Sequence, residues 1–214
     1  MKRLNEKGNT TIFIIGSFSM FLLFLLIIGS FSQVFILKEK ASNNAEQASI
    51  VATGIVMDYL QIAIDAYDST LLPEEYPFLS INLKVNAAKG QISATNRNLS
   101  SIEVRNRAIN QVLKGNLPGN FILEGFVSSN LSAAESKISS NVRANIENND
   151  GEVKGTRITF TGERIQVETS TRYKAFKYDD LLPEEKRYVR QTGKGPKLDF
   201  AHGLSGGWGV NIEL

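Results

Sequence analysis

The chain has 214 residues, with 24 basic and 22 acidic side chains and a formal net charge of +2. The segment before the first apolar run carries all of that charge, so the remainder sums to zero and gives no support for a nucleic-acid-binding surface. The absence of cysteine excludes disulfides, thiolate catalysis and cysteine-based zinc sites.

Residues 12–37 form an uncharged apolar run, IFIIGSFSMFLLFLLIIGSFSQVFIL. As a helix, this run would rise about 39 Å, which exceeds the ~30 Å hydrocarbon core of a bilayer. A helix that is apolar on every side is an aggregation liability in water, whereas in lipid its backbone hydrogen bonds are all satisfied internally. The sequence therefore predicts a transmembrane helix over residues 12–37.

The flanks of this run predict its orientation. Residues 1–11 are a basic tail with a net charge of +2. The positive-inside tendency places this tail in the cytoplasm and the rest of the chain outside, so we expect a single-pass protein of the cell membrane. A cleaved signal peptide is the alternative, with the small residues at 29–32 as its cleavage site. Signal peptides, however, have an apolar core of only about 7–15 residues.

Beyond Leu37 the apolar run changes into an amphipathic pattern. No proline occurs before Pro73, so the helix is predicted to continue from about residue 10 to about residue 66, with 38–74 as a stalk. The small residues of this stalk would permit close packing, either on the chain's own domain or between subunits, and the pattern does not distinguish the two. Its stripe follows helical spacing at Ala41, Ala45, Ala48, Ala52, Ile55 and Tyr59.

Residues 75–192 are predicted to form a small extracytoplasmic domain, which makes the fold class α+β. Alternating apolar and polar residues predict a strand at 79–85 and an antiparallel hairpin that pairs 156–160 with 164–173. A further strand is predicted at 121–127, after the turn Pro118-Gly119-Asn120. Helical spacing predicts helices at 101–114, 132–146 and 183–190. The glycine-rich tail, 193–214, is predicted to be a loop that is either mobile or docked as a strand at 208–213.

The sequence contains no motif that supports an enzyme. The single histidine, His202, lies between Asp199 and Ser205 in the glycine-rich tail, whereas a catalytic triad needs a rigidly held base. The segment 148–152 resembles part of a calcium loop but lacks its ordered ligand spacing. The helix dipole is sufficient to explain two acidic pairs that follow prolines, Glu74-Glu75 and Glu184-Glu185. We expect no catalytic residue, metal or cofactor.

The N-terminal third of the chain resembles a known family. The segment EKGNTTIF at 6–13 places a charged residue and a glycine before the apolar run, and KASNNAEQASIVA at 40–52 follows it. This arrangement resembles the TadE/TadG-like proteins, which are minor-pilin or pseudopilin-like components of tight-adherence (Flp) pilus systems. The resemblance covers roughly residues 6–60. It implies a membrane protein whose partners are other pilin-like or assembly-platform proteins, with a homo-oligomer as a further option.

One position departs from the pattern of related pilins. Type IV pilins are cleaved after a glycine and carry a glutamate at the fifth following position. Counted from Gly8, that position is Phe13, which cannot neutralise the amino terminus of a neighbouring subunit. We therefore expect an uncleaved anchor with an accessory or assembly role. The alternative function is a membrane-tethered ligand-binding or sensor domain, in which the helix acts only as a tether.

Overall fold

The computed structural model describes residues 6–71, 80–172 and 187–214. The fold is α+β, as predicted, and the described part of the sheet is antiparallel with the order β3-β2-β1-β4. A short 3-10 helix (Asp199–Gly203) precedes the last strand. The other elements are α1 (Glu6–Leu71), α2 (Ile81–Thr95), α3 (Ser101–Asn116), α4 (Phe121–Asn148), β1 (Glu152–Phe160), β2 (Arg164–Arg172), β3 (Tyr188–Lys197) and β4 (Asn211–Glu213).

Helix α1 is continuous from Glu6 to Leu71, so the prediction of one helix running through the apolar run and the stalk is confirmed. At about 1.5 Å per residue its length is on the order of 100 Å. Its two halves have different surroundings. Every side chain described between residues 10 and 32 is exposed, whereas from Ala41 onward one face of the helix is buried. We call the described residues from 41 onward the head.

The second half of α1 lies at the centre of the head, where it contacts both α4 and the strands β2 and β3. Helix α4 runs antiparallel to it. Near the end of α1, the Tyr67 ring meets the Phe126 ring edge-on with centroids 6.1 Å apart. Near the foot of the head, Asn44 Nδ2 donates to the carbonyl oxygen of Asn149 at 3.3 Å. From Ala41 to Ile64, one face of the stalk predicted over 38–74 is therefore part of the core of the head.

Helices α2 and α3 are fixed by polar contacts at their N-termini. The Asp68 carboxylate of α1 accepts hydrogen bonds from the first two backbone N–H groups of α2, at 2.9 and 2.8 Å, and from the Ser80 hydroxyl at 2.6 Å. Helix α3 begins with a capping box of Ser100 and Glu103. The backbone and side-chain hydrogen bonds from Ser100 lower the pKa of Glu103. The helix predicted at 101–114 is confirmed.

Two predicted strands are wrong, because both segments are helical. The described residues of 79–85 begin α2, where Ile81 and Val85 are buried one helical turn apart. This spacing of four satisfies a strand period and a helix period equally, and the Ser80 cap favours the helix. The segment 121–127 begins α4, whose buried positions continue with helical spacing into the helix predicted at 132–146.

The hairpin prediction is confirmed over the described residues. Strand β1 pairs with β2 in the register Ile158 to Val167 and Phe160 to Ile165. Gly162 forms the turn with a φ of 79°, a conformation that favours glycine. The end of the predicted pairing, residue 173, lies outside the described residues.

The C-terminal region belongs to the same sheet rather than to a separate tail. Strand β3 (Tyr188–Lys197) spans the boundary expected at residue 193. The described part of the helix predicted at 183–190 is instead β-structure from Tyr188 onward. Strand β4 pairs with β1, and Trp208 packs on Phe160 with ring centroids 4.8 Å apart. The tail was expected to be either mobile or docked as a strand. The structure shows the second, because β4 is hydrogen-bonded to β1.

Candidate functional site: the exposed apolar helix and its junction with the head

The first half of α1 is an apolar rod without any covering from the head. Residues 10–32 rise about 34 Å, close to the thickness of a bilayer's hydrocarbon core. Large side chains are exposed all along it, and Phe13, for example, is 73% exposed. Among the described residues, α1 is the one helix long and apolar enough to cross a membrane, and its most apolar segment is not buried. This surface is the most unusual feature of the molecule.

The residues singled out for membrane or assembly contacts fall into two groups. Gly8 lies in the first turns of α1 and Phe13 in the exposed half. The four stripe alanines are 0% exposed inside the head, and the half-buried Ile55 and Tyr59 pack against the same core. The stripe therefore packs within its own chain, which was one of the two alternatives. The alanines are Ala41, Ala45, Ala48 and Ala52.

Close approach by strand β3 explains the small residues of the stripe. Gly193 of β3 faces the backbone of Ala45, and a Cβ at this position would overlap backbone atoms of α1. Gly195 faces the Thr53 hydroxyl and the carbonyl oxygen of Ser49 in the same way. Small side chains on the helix and glycines on the strand thus allow the two backbones to meet. The close packing that the small residues were expected to permit therefore occurs between helix α1 and strand β3 of the same chain.

His202 and Ser205 of the candidate triad contact different carboxylates. His202 Nε2 lies 3.6 Å from Glu163 Oε1. Ser205 instead contacts Glu124, to which it donates from its backbone N at 2.6 Å and from its hydroxyl at 2.9 Å. Both Glu-Glu pairs lie outside the described residues, and within the described ones no group of three metal-ligating side chains was found.

The segment 148–152, considered as part of a calcium loop, forms the turn between α4 and β1 at the foot of the head. Asp150 has a φ of 50° and its carboxylate lies 3.1 Å from Lys40 Nζ of α1. Gly151 follows at a point where a Cβ would lie 2.7 Å from both the Asn44 side-chain amide and the Ile146 side chain. The residues of this turn thus join α4 and β1 to α1 at the foot of the head.

A cavity of about 720 Å³ lies where the exposed half of α1 enters the head. We call it the junction cavity. One wall comes from α1, a second from the turn after α4, and a third from the end of β2. Its lining residues are Gln33, Ile36, Leu37, Lys40, Asp150, Gly151, Glu152, Thr171 and Arg172. Sequence reasoning missed this cavity, because residues from three distant segments form it.

The electrostatics of the junction cavity are balanced. Lys40 and Arg172 supply two cations, and Asp150 and Glu152 supply two carboxylates. The Lys40 and Asp150 side chains are 36% and 89% exposed, so their ion pair contributes little stability. Below them, Ile36 and Leu37 continue the apolar surface of α1.

Comparison with protein-family models, curated proteins and solved structures found no match to this chain. The likeness of residues 6–60 to TadE/TadG-like proteins is therefore carried by the sequence pattern alone. The geometry adds one helix whose apolar first half is exposed among the described residues and whose second half has one face buried in the head. It also adds a charged cavity at the boundary between the two halves. These two features are the basis for a functional proposal.

Proposed function

We propose that the chain is a non-enzymatic, single-span, pilin-like component of a surface pilus or a secretion-type assembly. In this proposal, the first half of α1 spans the membrane, the basic tail is cytoplasmic and the head is extracytoplasmic. The observation that carries the proposal is the continuity of α1, which passes without interruption from the exposed apolar half into the core of the head.

Continuity of α1 couples the head mechanically to the span. A flexible linker would let a head reorient freely above the membrane. Here the helix that leaves the apolar half is packed between partners within the head, with Val56, Leu60 and Ile64 at 0% exposure. Any shift or rotation of the span therefore moves the head with it. Such coupling is useful in an assembly, where packing between spans would fix the arrangement of the heads.

The surface available for assembly is the exposed half of α1. The alanine stripe is occupied by the chain's own β3 and α4, so partners would contact the apolar side chains of residues 10–32. Within a membrane, helices associate through close packing and interhelical hydrogen bonds, and small or hydroxyl residues favour both. Gly16, Ser17 and Ser19 supply such positions in the first half of this surface. The partners would be other pilin-like or assembly-platform proteins, or further copies of the chain.

This geometry favours an assembly role over that of an independent sensor head on a tether. A head comprising only residues 75–214 would lack the buried face of α1, around which α4, β2 and β3 are arranged. The second half of α1 is thus part of the core of the described head.

Cysteine scanning tests the proposal directly, because the chain contains no cysteine of its own. Single cysteines would be placed at successive positions from 14 to 28, and the full chain would be oxidised in native membranes. We expect cross-linked species, with itself or with a partner, at positions that recur about every 3.6 residues. Ala48→Cys is the matched control, because Ala48 is 0% exposed within the head.

Two results would count against the proposal in different ways. Recovery of the chain in the soluble fraction after alkaline carbonate washing would exclude the membrane span. Retention in the membrane without a cross-link at any scanned position would leave the span in place but remove the assembly role, and would favour a tethered domain.

A further inference from the structure

If the apolar half of α1 spans the membrane, the depth of the junction cavity in the bilayer is fixed. The inference below rests on that part of the proposed function. The predicted span, 12–37, ends at Leu37, which lines the cavity. Lys40 follows less than one helical turn later and is the first charged residue of α1 in the cavity lining. The cavity would therefore open at the level of the lipid headgroups.

The charges of the cavity suit a zwitterion better than a simple anion. Lys40 can donate hydrogen bonds to a phosphate, and Arg172 adds a positive charge at the edge of the cavity. Asp150 and Glu152 would repel a purely anionic headgroup but accept hydrogen bonds from a primary ammonium. A quaternary ammonium has no N–H to donate.

Thr171 gives an independent indication of a ligand. It is 4% exposed, lines the cavity, and its hydroxyl has no hydrogen-bond partner among the described residues. Its neighbour on the same face of β2 is different, because the Thr169 hydroxyl bonds the Thr156 hydroxyl at 3.0 Å and the Glu152 carbonyl oxygen at 3.1 Å. A buried hydroxyl without a partner is costly. A phosphate oxygen in the cavity would accept a hydrogen bond from it.

We propose that the junction cavity binds the headgroup of a zwitterionic phospholipid that carries a primary ammonium. The phosphate accepts from Lys40 and the Thr171 hydroxyl, and the ammonium donates to Asp150 and Glu152. The apolar side chains of Ile36 and Leu37 contact the glycerol and the first acyl carbons. A volume of about 720 Å³ is within the usual range for small-molecule sites, roughly 300–1,000 Å³.

Native mass spectrometry of the full chain tests the proposal. The protein would be extracted in mild detergent after reconstitution into an equimolar mixture of phosphatidylethanolamine, phosphatidylcholine and phosphatidylglycerol. We expect retained phosphatidylethanolamine to exceed each of the other two on the order of tenfold, because only its headgroup combines a phosphate with a cation that can donate N–H hydrogen bonds to the carboxylates. An equal retention of all three lipids would overturn the proposal.

Two variants with controls locate the binding. Lys40→Gln is expected to reduce phosphatidylethanolamine retention about three- to tenfold, whereas Lys38→Gln is not, because Lys38 is exposed and does not line the cavity. Thr171→Val removes the hydroxyl at nearly constant volume. It should reduce retention without lowering the melting temperature of the head, because no hydrogen bond within the described residues is lost. A lower melting temperature with unchanged lipid retention would show a structural role instead.

Two further arms separate the possible failures. Soluble glycerophosphoethanolamine should compete weakly, because it lacks the acyl chains that hold a lipid beside Ile36 and Leu37. Full competition by it at low concentration would overturn the assignment to a lipid. Carbonate extraction of the same membranes tests the span separately: a chain that stays in the membrane but shows no lipid preference refutes this inference alone.

Discussion

Replacement of Gly193 by alanine is expected to destabilise the head severely. An alanine in a strand normally gains stability over glycine by about 0.5–1 kcal/mol, because glycine loses more conformational freedom on folding. At Gly193, however, the added Cβ would overlap the backbone of α1 at Ala45 and Glu46. Backbone atoms cannot rotate away as a side chain can, so the strand and the helix would have to separate.

The magnitude follows from the cost of overpacking, which is typically 1–3 kcal/mol for core methylenes. Because the overlap at Gly193 is with backbone, we expect about 3 kcal/mol or more. For a domain of this size, each kcal/mol corresponds to roughly 2–4 °C, so the melting temperature should fall by about 6–12 °C. Trp208, which packs on Phe160 in the sheet region, provides a fluorescence signal from the head.

Gly54→Ala is the matched control, measured on the full chain in the same detergent. Gly54 lies in α1, and a Cβ there meets no atom within 4 Å. Helix propensity then predicts a gain of up to about 1 kcal/mol and a rise of about 2–4 °C. If Gly193→Ala melted at or above the wild-type temperature, β3 would not approach α1 closely, and the explanation of the alanine stripe would be wrong.

Two further predictions concern the core and the pH dependence of the head. A fragment comprising 38–214 should fold cooperatively in solution, whereas a fragment comprising 75–214 should not, because it lacks the buried face of α1. Circular dichroism with urea titration distinguishes the two fragments. A folded 75–214 fragment would refute this account of the core. The ion pair with Lys197 and the neighbouring His202 lower the pKa of Glu163 from 4.5, so its stabilising effect is present above that pH and is lost as pH falls through the lowered value. Glu163→Gln should therefore show a smaller fall in melting temperature than wild type between about pH 6 and pH 3, and equal slopes would contradict this.

Some elements could be predicted because their signal is local. The helix of residues 101–114 carries its own capping residues, and the hairpin alternates on both sides of a glycine turn. The start of α4 is not evident from the segment 121–127 alone, because its apolar side chains suit a strand as well as a helix. Within α4, Leu123, Val127 and Leu131 are each separated by four residues, so the helical period becomes evident only over the longer segment.

Strand β3 shows a different limit. Its sequence contains Gly193, Gly195 and Pro196 beside charged residues, a composition typical of a loop. It is nevertheless a strand, because it pairs with β2 and because its glycines fit against α1. Proline has no backbone N–H to donate to a neighbouring strand. Strand β3 tolerates one because it lies at the edge of the described sheet. Pairing with a distant strand decided its structure.

The sequence by itself determined that the chain contains one apolar helix long enough for a bilayer and that this helix continues beyond it. Lack of charge in 12–37 and lack of proline before residue 73 are sufficient for this, because helix formation and apolar surface are properties of neighbouring residues. Only the tertiary structure decided what covers the alanine stripe and that Lys40, Asp150, Thr171 and Arg172 line one cavity. These facts depend on contacts between residues far apart in the chain, which no local pattern specifies.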